Sequence, residues 1–296
     1  MDVVLPKAGR YVVAVSGGVD SMVLLDILSK QPKLELTVAH LDHGIRDDSS
    51  EDAELVKQVS NRLGLGFVGD KAKLGKQASE AQAREVRYKF LRKVTKDTSS
   101  EAIITAHHQD DVIETALLNM LRGTGRKGIT SLASGPDIVR PLLSVPKADI
   151  VSYAQEHGLK WHEDSTNLDQ NYMRNYVRHN YVAKLDQGSR NDLLEIINDM
   201  QKTNAELDTL LVKYIDNQPG KDSLDRSWFN HLPHNVAREV LATWLRSNKV
   251  RNFDSKTLER LVVAAKTGHA GKTFPVISGY NMVVNKDNLA LSGPER

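Results

Sequence analysis

The segment Tyr-Val-Val-Ala-Val-Ser-Gly-Gly-Val-Asp-Ser, residues 11–21, constrains the fold more than any other stretch. Tyr11 to Val15 is a β-branched apolar run with the length of a buried strand. Two glycines follow, and the apolar run from Ser21 to Leu28 has helical character. Glycines let backbone N–H groups approach an anion, and a helix N-terminus adds its dipole and free donors. Ser16 and Ser21 can donate hydroxyl hydrogen bonds to phosphate oxygens. Gly17-Gly18 alone would fit a tight turn with no ligand; the six residues from Ser16 to Ser21, between a strand and a helix, point to phosphate. No Gly-Lys-Ser/Thr follows, so the loop is not a Walker A loop and kinase-type transfer loses its main support.

The pattern repeats downstream. Strands are expected at Leu34–His40, Phe67–Val68, Glu101–His107 and Ile138–Leu142. Helices are expected at Ser50–Leu63, Glu80–Val94, Val112–Leu121 and Pro146–His157. Asp48 and Glu51 are spaced as a capping box, with Gly64 as the helix stop. Ala83, Val86, Phe90 and Val94 recur on one helix face. Strands alternating with helices imply an α/β fold, a parallel sheet covered on both faces. The pattern changes near Leu185: Leu193–Ile215 reads as one long helix, Asn235–Asn248 and Ser255–Lys266 as two more. Phe274–Ile277 and Met282–Val284 around Gly279 read as a terminal hairpin. A chain of 296 residues is long enough for two domains. The expected division is residues 1–184, catalytic, and residues 185–296, smaller and mainly helical, with the boundary in the polar cluster near Ala183–Arg190.

Two further clusters carry chemistry. Thr105 to Thr115 includes His107, His108, Asp110, Asp111 and Glu114, where a strand runs into a helix. Ligands bind at such strand ends in open parallel sheets. Asp111 and Glu114 share a helix face and could hold Mg²⁺ or an ammonium. Helix-capping acids are the alternative, and that fits Asp110 well. Arg122, Arg126 and Lys127 lie in a glycine-rich cationic loop, suited to phosphate or simply solvated. Arg84 and Arg87 share a helix side and serve equally as phosphate contacts or as partners of acids such as Glu80. His40 to Arg46 follows the second strand. Glu163 to Asn167 precedes a segment in which Arg174 and Arg178 lie one helical turn apart.

The loop Ser16–Ser21 resembles the PP-loop of the N-type ATP pyrophosphatases. His40-Leu-Asp-His-Gly-Ile-Arg46, His107-His-Gln-Asp-Asp-Val-Ile-Glu-Thr115, Leu121-Arg-Gly-Thr-Gly125, Asp164-Ser-Thr-Asn167 and Arg174-Asn-Tyr-Val-Arg178 narrow the resemblance to the tRNA(Ile)-lysidine synthetase family, in order from Tyr11 to about Tyr181. The region beyond Leu185 is similar, more loosely, to that family's tRNA-binding domain. Longer members carry a further C-terminal domain, so the chain resembles a short form.

The resemblance implies ATP-dependent ligation of free L-lysine to C2 of the wobble cytidine of a CAU-anticodon isoleucine tRNA. It implies ATP at Ser16, Gly17, Gly18, Val19, Asp20, Ser21, His40, Arg87 and Arg126. Lysine and tRNA would meet Asp111, Glu114, Arg174, Arg178, Arg84 and Arg122. Asp20, Asp111, Glu114 and His107 would be catalytic, and Mg²⁺ would sit at Asp20 and Asp110. A cytoplasmic enzyme without membrane attachment is expected, and a homodimer is one assembly open to it. Cysteine is absent, which excludes the sulfur carriers and Cys-held clusters of the related tRNA thiolases. Two other readings stay open: an amidating synthetase acting on a small metabolite, and a non-catalytic tRNA-binding protein using ATP as a switch.

Overall fold

The computed structural model describes all residues except 43, 45–48, 73, 76–78, 163–172, 217–222, 252, 278 and 294–296. Asp48, His43, Ile45, Arg46, Tyr172 and the segment 163–167 therefore lie outside the described residues. The chain divides into two compact units, Met1–Ile197 and Asn198–Arg296.

The first unit is built on five parallel strands: β1 (Gly9–Ala14), β2 (Leu34–Asp42), β3 (Gly66–Lys71), β4 (Ala102–Ile104) and β5 (Ile138–Val139). Their order in the sheet is β3-β2-β1-β4-β5. The helices are α1 (Val19–Ser29), α2 (Ser49–Arg62), α3 (Glu80–Asp97), α4 (Gln109–Leu121), α5 (Arg126–Ile129), α6 (Lys147–Glu156) and α7 (Met173–Asn180). A 3-10 turn at Val182–Lys184 precedes α8 (Gln187–Asp216).

Strand alternation divides the core into two layers. Tyr11, Val13 and Val15 pack with Leu24, Leu25 and Leu28 of α1, Val56 of α2 and Ile150 of α6. Val12, Ala39 and Ile103 face the other way, onto Tyr88, Phe90, Leu91 and Val94 of α3. Fully burying a leucine contributes about 1.5–3 kcal/mol, so Leu24, Leu25 and Leu28 fix α1, and with it the loop at its N-terminus, to the sheet. The α3 face takes in Tyr88 and Leu91, while Ala83 and Val86 are only partly buried. A Ser79–Gln82 capping box starts that helix.

Several details differ from the sequence reading. The strand expected over Ile138–Leu142 has two residues, because Pro141 lacks the N–H needed to continue the ladder. The expected flexible loop at 121–128 contains the helical turn α5, anchored by Asn119, whose Nδ2 donates to Gly128 O at 2.6 Å. The unit boundary falls inside α8, later than the polar cluster near Ala183–Arg190, because Leu193, Leu194 and Ile197 still pack onto α4, α7 and Leu132.

The second unit holds the rest of α8, α9 (Arg226–His231), α10 (His234–Ser247) and α11 (Ser255–Thr267). Its hairpin, β7 (Lys272–Ile277) and β8 (Tyr280–Val284), continues into β9 (Asn288–Ser292), and β6 (Ser223–Asp225) completes an antiparallel sheet ordered β6-β9-β8-β7. Phe229, Trp244, Leu241, Leu261, Met282 and Leu289 form its core. Among the described residues no helix is long and apolar enough to cross a membrane.

Candidate active site

The chain runs outward from β1 through β2 to β3, then returns to place β4 on the other side of β1. The strand order reverses between β1 and β4, and a crevice outside the strand ends at such a point is where open α/β sheets bind ligands. The loop 15–18 leaves β1 there, and Thr105–His108 leaves β4 there.

Backbone and hydroxyl contacts shape the loop. Gly17 adopts φ +94°, a left-handed conformation that favours glycine. A Cβ at that position would also meet the Asp52 Cβ at 3.3 Å. Gly18 is the N-cap of α1 and has no side chain to satisfy the first-turn N–H groups. Ser21 Oγ donates to Gly18 O at 2.9 Å and accepts from Ser16 N at 3.2 Å. The Ser16 and Ser21 hydroxyls lie 3.3 Å apart. Val19 begins the helix. His40 is buried beside the loop, its Nδ1 2.9 Å from Val15 O.

Asp20, in the first turn of α1, lies 2.5 Å from Lys147 Nζ at the start of α6. His108 Nε2 stands between two carboxylates, 3.8 Å from Asp20 Oδ2 and 3.7 Å from Asp111 Oδ2. Asp111 Oδ2 accepts the His108 backbone N–H at 3.0 Å. Burial works to raise the Asp111 carboxyl, but His108, His107, that backbone N–H and Arg178 outweigh it and hold it below the usual range. Glu114, 1% exposed, is bound bidentately by Arg178, Nε to Oε1 at 2.6 Å and Nη2 to Oε2 at 3.0 Å. Burial pushes Glu114 up, against the pull of that guanidinium. Arg178 Nη2 also lies 3.7 Å from Asp111 Oδ1, and Arg174 Nη2 lies 3.4 Å from Thr115 Oγ1. The fold thus brings together Asp20, Asp111, Glu114, Arg174 and Arg178, from three helices.

His107 Nδ1 is 2.8 Å from Thr105 Oγ1. Burial, with Arg140, Arg87 and Arg84 nearby, pushes its pKa down to about 3 although Asp111 opposes the shift. It is an uncharged imidazole at neutral pH. Arg84 and Arg87 stack about the Tyr88 ring, at 4.8 and 5.7 Å from its centroid. They join Arg140 in a cationic group within electrostatic reach of His107. Asp110 pairs with Arg190 Nη1 at 3.0 Å. Arg122 is exposed at the end of α4 and Arg126 is half-buried at the start of α5.

Lys147, Asp52 and His162 stand at the site without having been singled out in the sequence. His162 Nδ1 lies 2.7 Å from Asp52 Oδ1, and its backbone N–H donates to Gly17 O at 3.1 Å. Lys147 and His162 each sit in a segment that returns to the crevice after β5. Their partners are remote in sequence, so no spacing rule exposes them.

A profile described as PP-loop domain matches residues 3–185. The chain is similar to a protein from Legionella pneumophila (strain Lens) named tRNA(Ile)-lysidine synthase, 32% identical over 271 residues, covering 87% of this chain and 62% of that protein. A second protein of that name, from Nitrosomonas europaea, is 33% identical and covers 86% of this chain and 58% of its own length. The chain thus spans about six tenths of the length of these relatives. Among solved structures, the U34-tRNA thiolase NcsA from Methanococcus maripaludis with its [4Fe-4S] cluster aligns at a TM-score of 0.54 with 18% identity, over 65% of this chain and 72% of that one, a likeness of fold. A parallel sheet with an Ser-Gly-Gly-Val-Asp-Ser loop at its switch point, and a match across more than half the chain, place this protein in the PP-loop domain family.

Proposed function

We propose that the protein joins free L-lysine to C2 of the wobble cytidine of a CAU-anticodon isoleucine tRNA, with ATP split to AMP and pyrophosphate. The observation that carries the reading is the adjacency of two built sites: an anion-binding loop at the switch point, and the Asp111–Glu114–Arg178 cluster across His108 from Asp20. One suits the phosphates of a nucleotide, the other a zwitterionic amino acid. The names of the curated relatives point the same way. The product base would pair with adenine, so that the tRNA reads AUA.

In the first step the C2 carbonyl oxygen attacks the α-phosphorus of ATP, the α–β bond breaks and pyrophosphate leaves. The N–H groups at the start of α1 and the Ser16 and Ser21 hydroxyls would take the phosphate charge. Mg²⁺, when bound, would neutralise further phosphate charge. It commonly uses one or two carboxylates plus phosphate oxygens, and Asp20 beside the loop fits that part. Asp110 is committed to Arg190, and among the described residues no group of three or more His, Asp or Glu gathers into a metal site. In the second step the lysine ε-amine attacks C2 and AMP leaves. Both Glu114 oxygens are held by Arg178, so Asp111 is the carboxylate best placed to hold the ammonium; held below the usual carboxylate range, it is too weak a base to keep the departing proton, which passes to solvent. Arg174 is the matching guanidinium for the lysine carboxylate. His107, with a pKa of about 3, is too weak a base to hold that proton. The second unit carries no comparable cluster among its described residues, and we assign it to gripping the tRNA in the cytoplasm.

The test is formation of AMP and pyrophosphate from ATP, with tRNA and lysine each added or omitted. Both products should require the tRNA, and Asp20→Ala should abolish them with an unchanged melting curve. Equal turnover with a small acceptor and no tRNA would favour an amidating synthetase acting on a small metabolite instead.

A further inference from the structure

Lys147 occupies an unusual place for a lysine. It opens α6, behind the N-cap Pro146, and its ammonium lies 2.5 Å from Asp20 Oδ1 in the first turn of α1. The pair is partly solvated, with side-chain exposures of 38% for Lys147 and 29% for Asp20. A pair that open contributes little to stability. The position of α6 does not depend on it. Ile150 and Ala154 are buried against the α1 layer. At the far end Tyr153 Oη donates to Asp26 Oδ2 at 2.8 Å, and Lys30 Nζ reaches that oxygen at 2.7 Å and Tyr153 Oη at 3.0 Å. The helix is thus strapped to α1 along its length, and Lys147 is delivered to the phosphate loop by packing.

A carboxylate in the first turn of an anion-binding helix repels the phosphates that the turn attracts. A flexible ammonium touching that carboxylate and reaching open solvent can screen it, and can also move onto a phosphate oxygen, as a point charge on a four-carbon stem does readily. We propose that Lys147 is a phosphate ligand of the nucleotide site, resting on Asp20 and transferring its ammonium to the phosphate chain of the incoming nucleotide. The transfer leaves Asp20 open toward a cation. This inference rests on the ATP-binding reading above.

The experiment is ATP affinity measured by titration calorimetry on the full chain, without tRNA or lysine. Wild type is compared with Lys147→Met, Lys147→Arg, Asp20→Asn and the double variant Asp20→Asn/Lys147→Met. Loss of one charge-assisted contact should weaken ATP about tenfold or more in Lys147→Met, and Lys147→Arg should keep most of the affinity. The double variant should bind ATP correspondingly more weakly than Asp20→Asn alone. In that last comparison the ion pair is missing from both arms, so any structural effect of breaking it cancels. A double variant as tight as Asp20→Asn would mean that Lys147 only masks Asp20, and would overturn the assignment. So would Lys147→Met binding as wild type does. A wild-type chain that binds no ATP would sink the ATP reading itself, a different failure.

Discussion

Asp111 and Glu114 occupy the same helix face but differ in environment. Asp111 is held below the usual carboxylate range by its histidine neighbour His108, a backbone N–H and Arg178, whereas Glu114 is sealed beneath Arg178. Asp111→Asn should therefore raise the lysine requirement about tenfold or more while sparing pyrophosphate release. Glu114→Gln removes the charge of a buried carboxylate that Arg178 binds bidentately, and should also lower the melting temperature. Steady-state kinetics in lysine beside a thermal melt separates the two; equal effects on both readouts would refute the division. His107 gives a pH signature. The unfolded chain takes up its proton near pH 6.5, the folded chain only near 3. Unfolding therefore binds a proton between those values, so stability is full above about 6.5 and falls as pH drops through the window, by about 2 kcal/mol at pH 5. Melting curves at pH 7 and pH 5 should show a smaller acid loss for His107→Gln than for wild type, and an unchanged loss would contradict the neutral imidazole. The acids and arginines of this cluster were legible in the sequence as types and spacings. Their pairing was not: that Arg178 would lie on Glu114, or Arg190 on Asp110, depends on α7 and α8 packing against α4.

At the scale of elements, periodicity located the strands and helices of the first unit well, because both faces of its sheet are covered and its apolar runs are long. It failed where the signal is short. β6 has three residues and exists through pairing with the distant β9, and β9, with five, adds a third strand beside the expected hairpin. The long helix α8 shows how continuity hides a boundary. Its early residues Leu193, Leu194 and Ile197 complete the cores around Val112 and Ile113, while Leu211 and Ile215 belong to the second core. A fragment ending at residue 184 loses the fully buried Ile197, worth about 1.5–3 kcal/mol, and the partly buried Leu185, Leu193 and Leu194. A fragment of residues 1–197 should melt cooperatively, well above a fragment of residues 1–184. Equal melting temperatures would mean that the start of α8 does not stabilise the first unit.

For the whole molecule, the proposed ligation would join a nucleotide site, an amino-acid site and a tRNA-gripping unit. RNA is read largely through single-stranded bases and shape, so one anticodon base offers too few contacts to select a tRNA, and under the proposed function the second unit would supply the remainder. The most direct measurement is transfer of labelled lysine into isoleucine tRNA with a CAU anticodon, followed by nucleoside analysis of the wobble position. Label is expected on the cytidine base, dependent on ATP, absent with a CAU-anticodon methionine tRNA and lost in Asp20→Ala. Tight ATP binding and ATP cleavage in the presence of the isoleucine tRNA, with no lysine joined to the base, would contradict the proposed ligation.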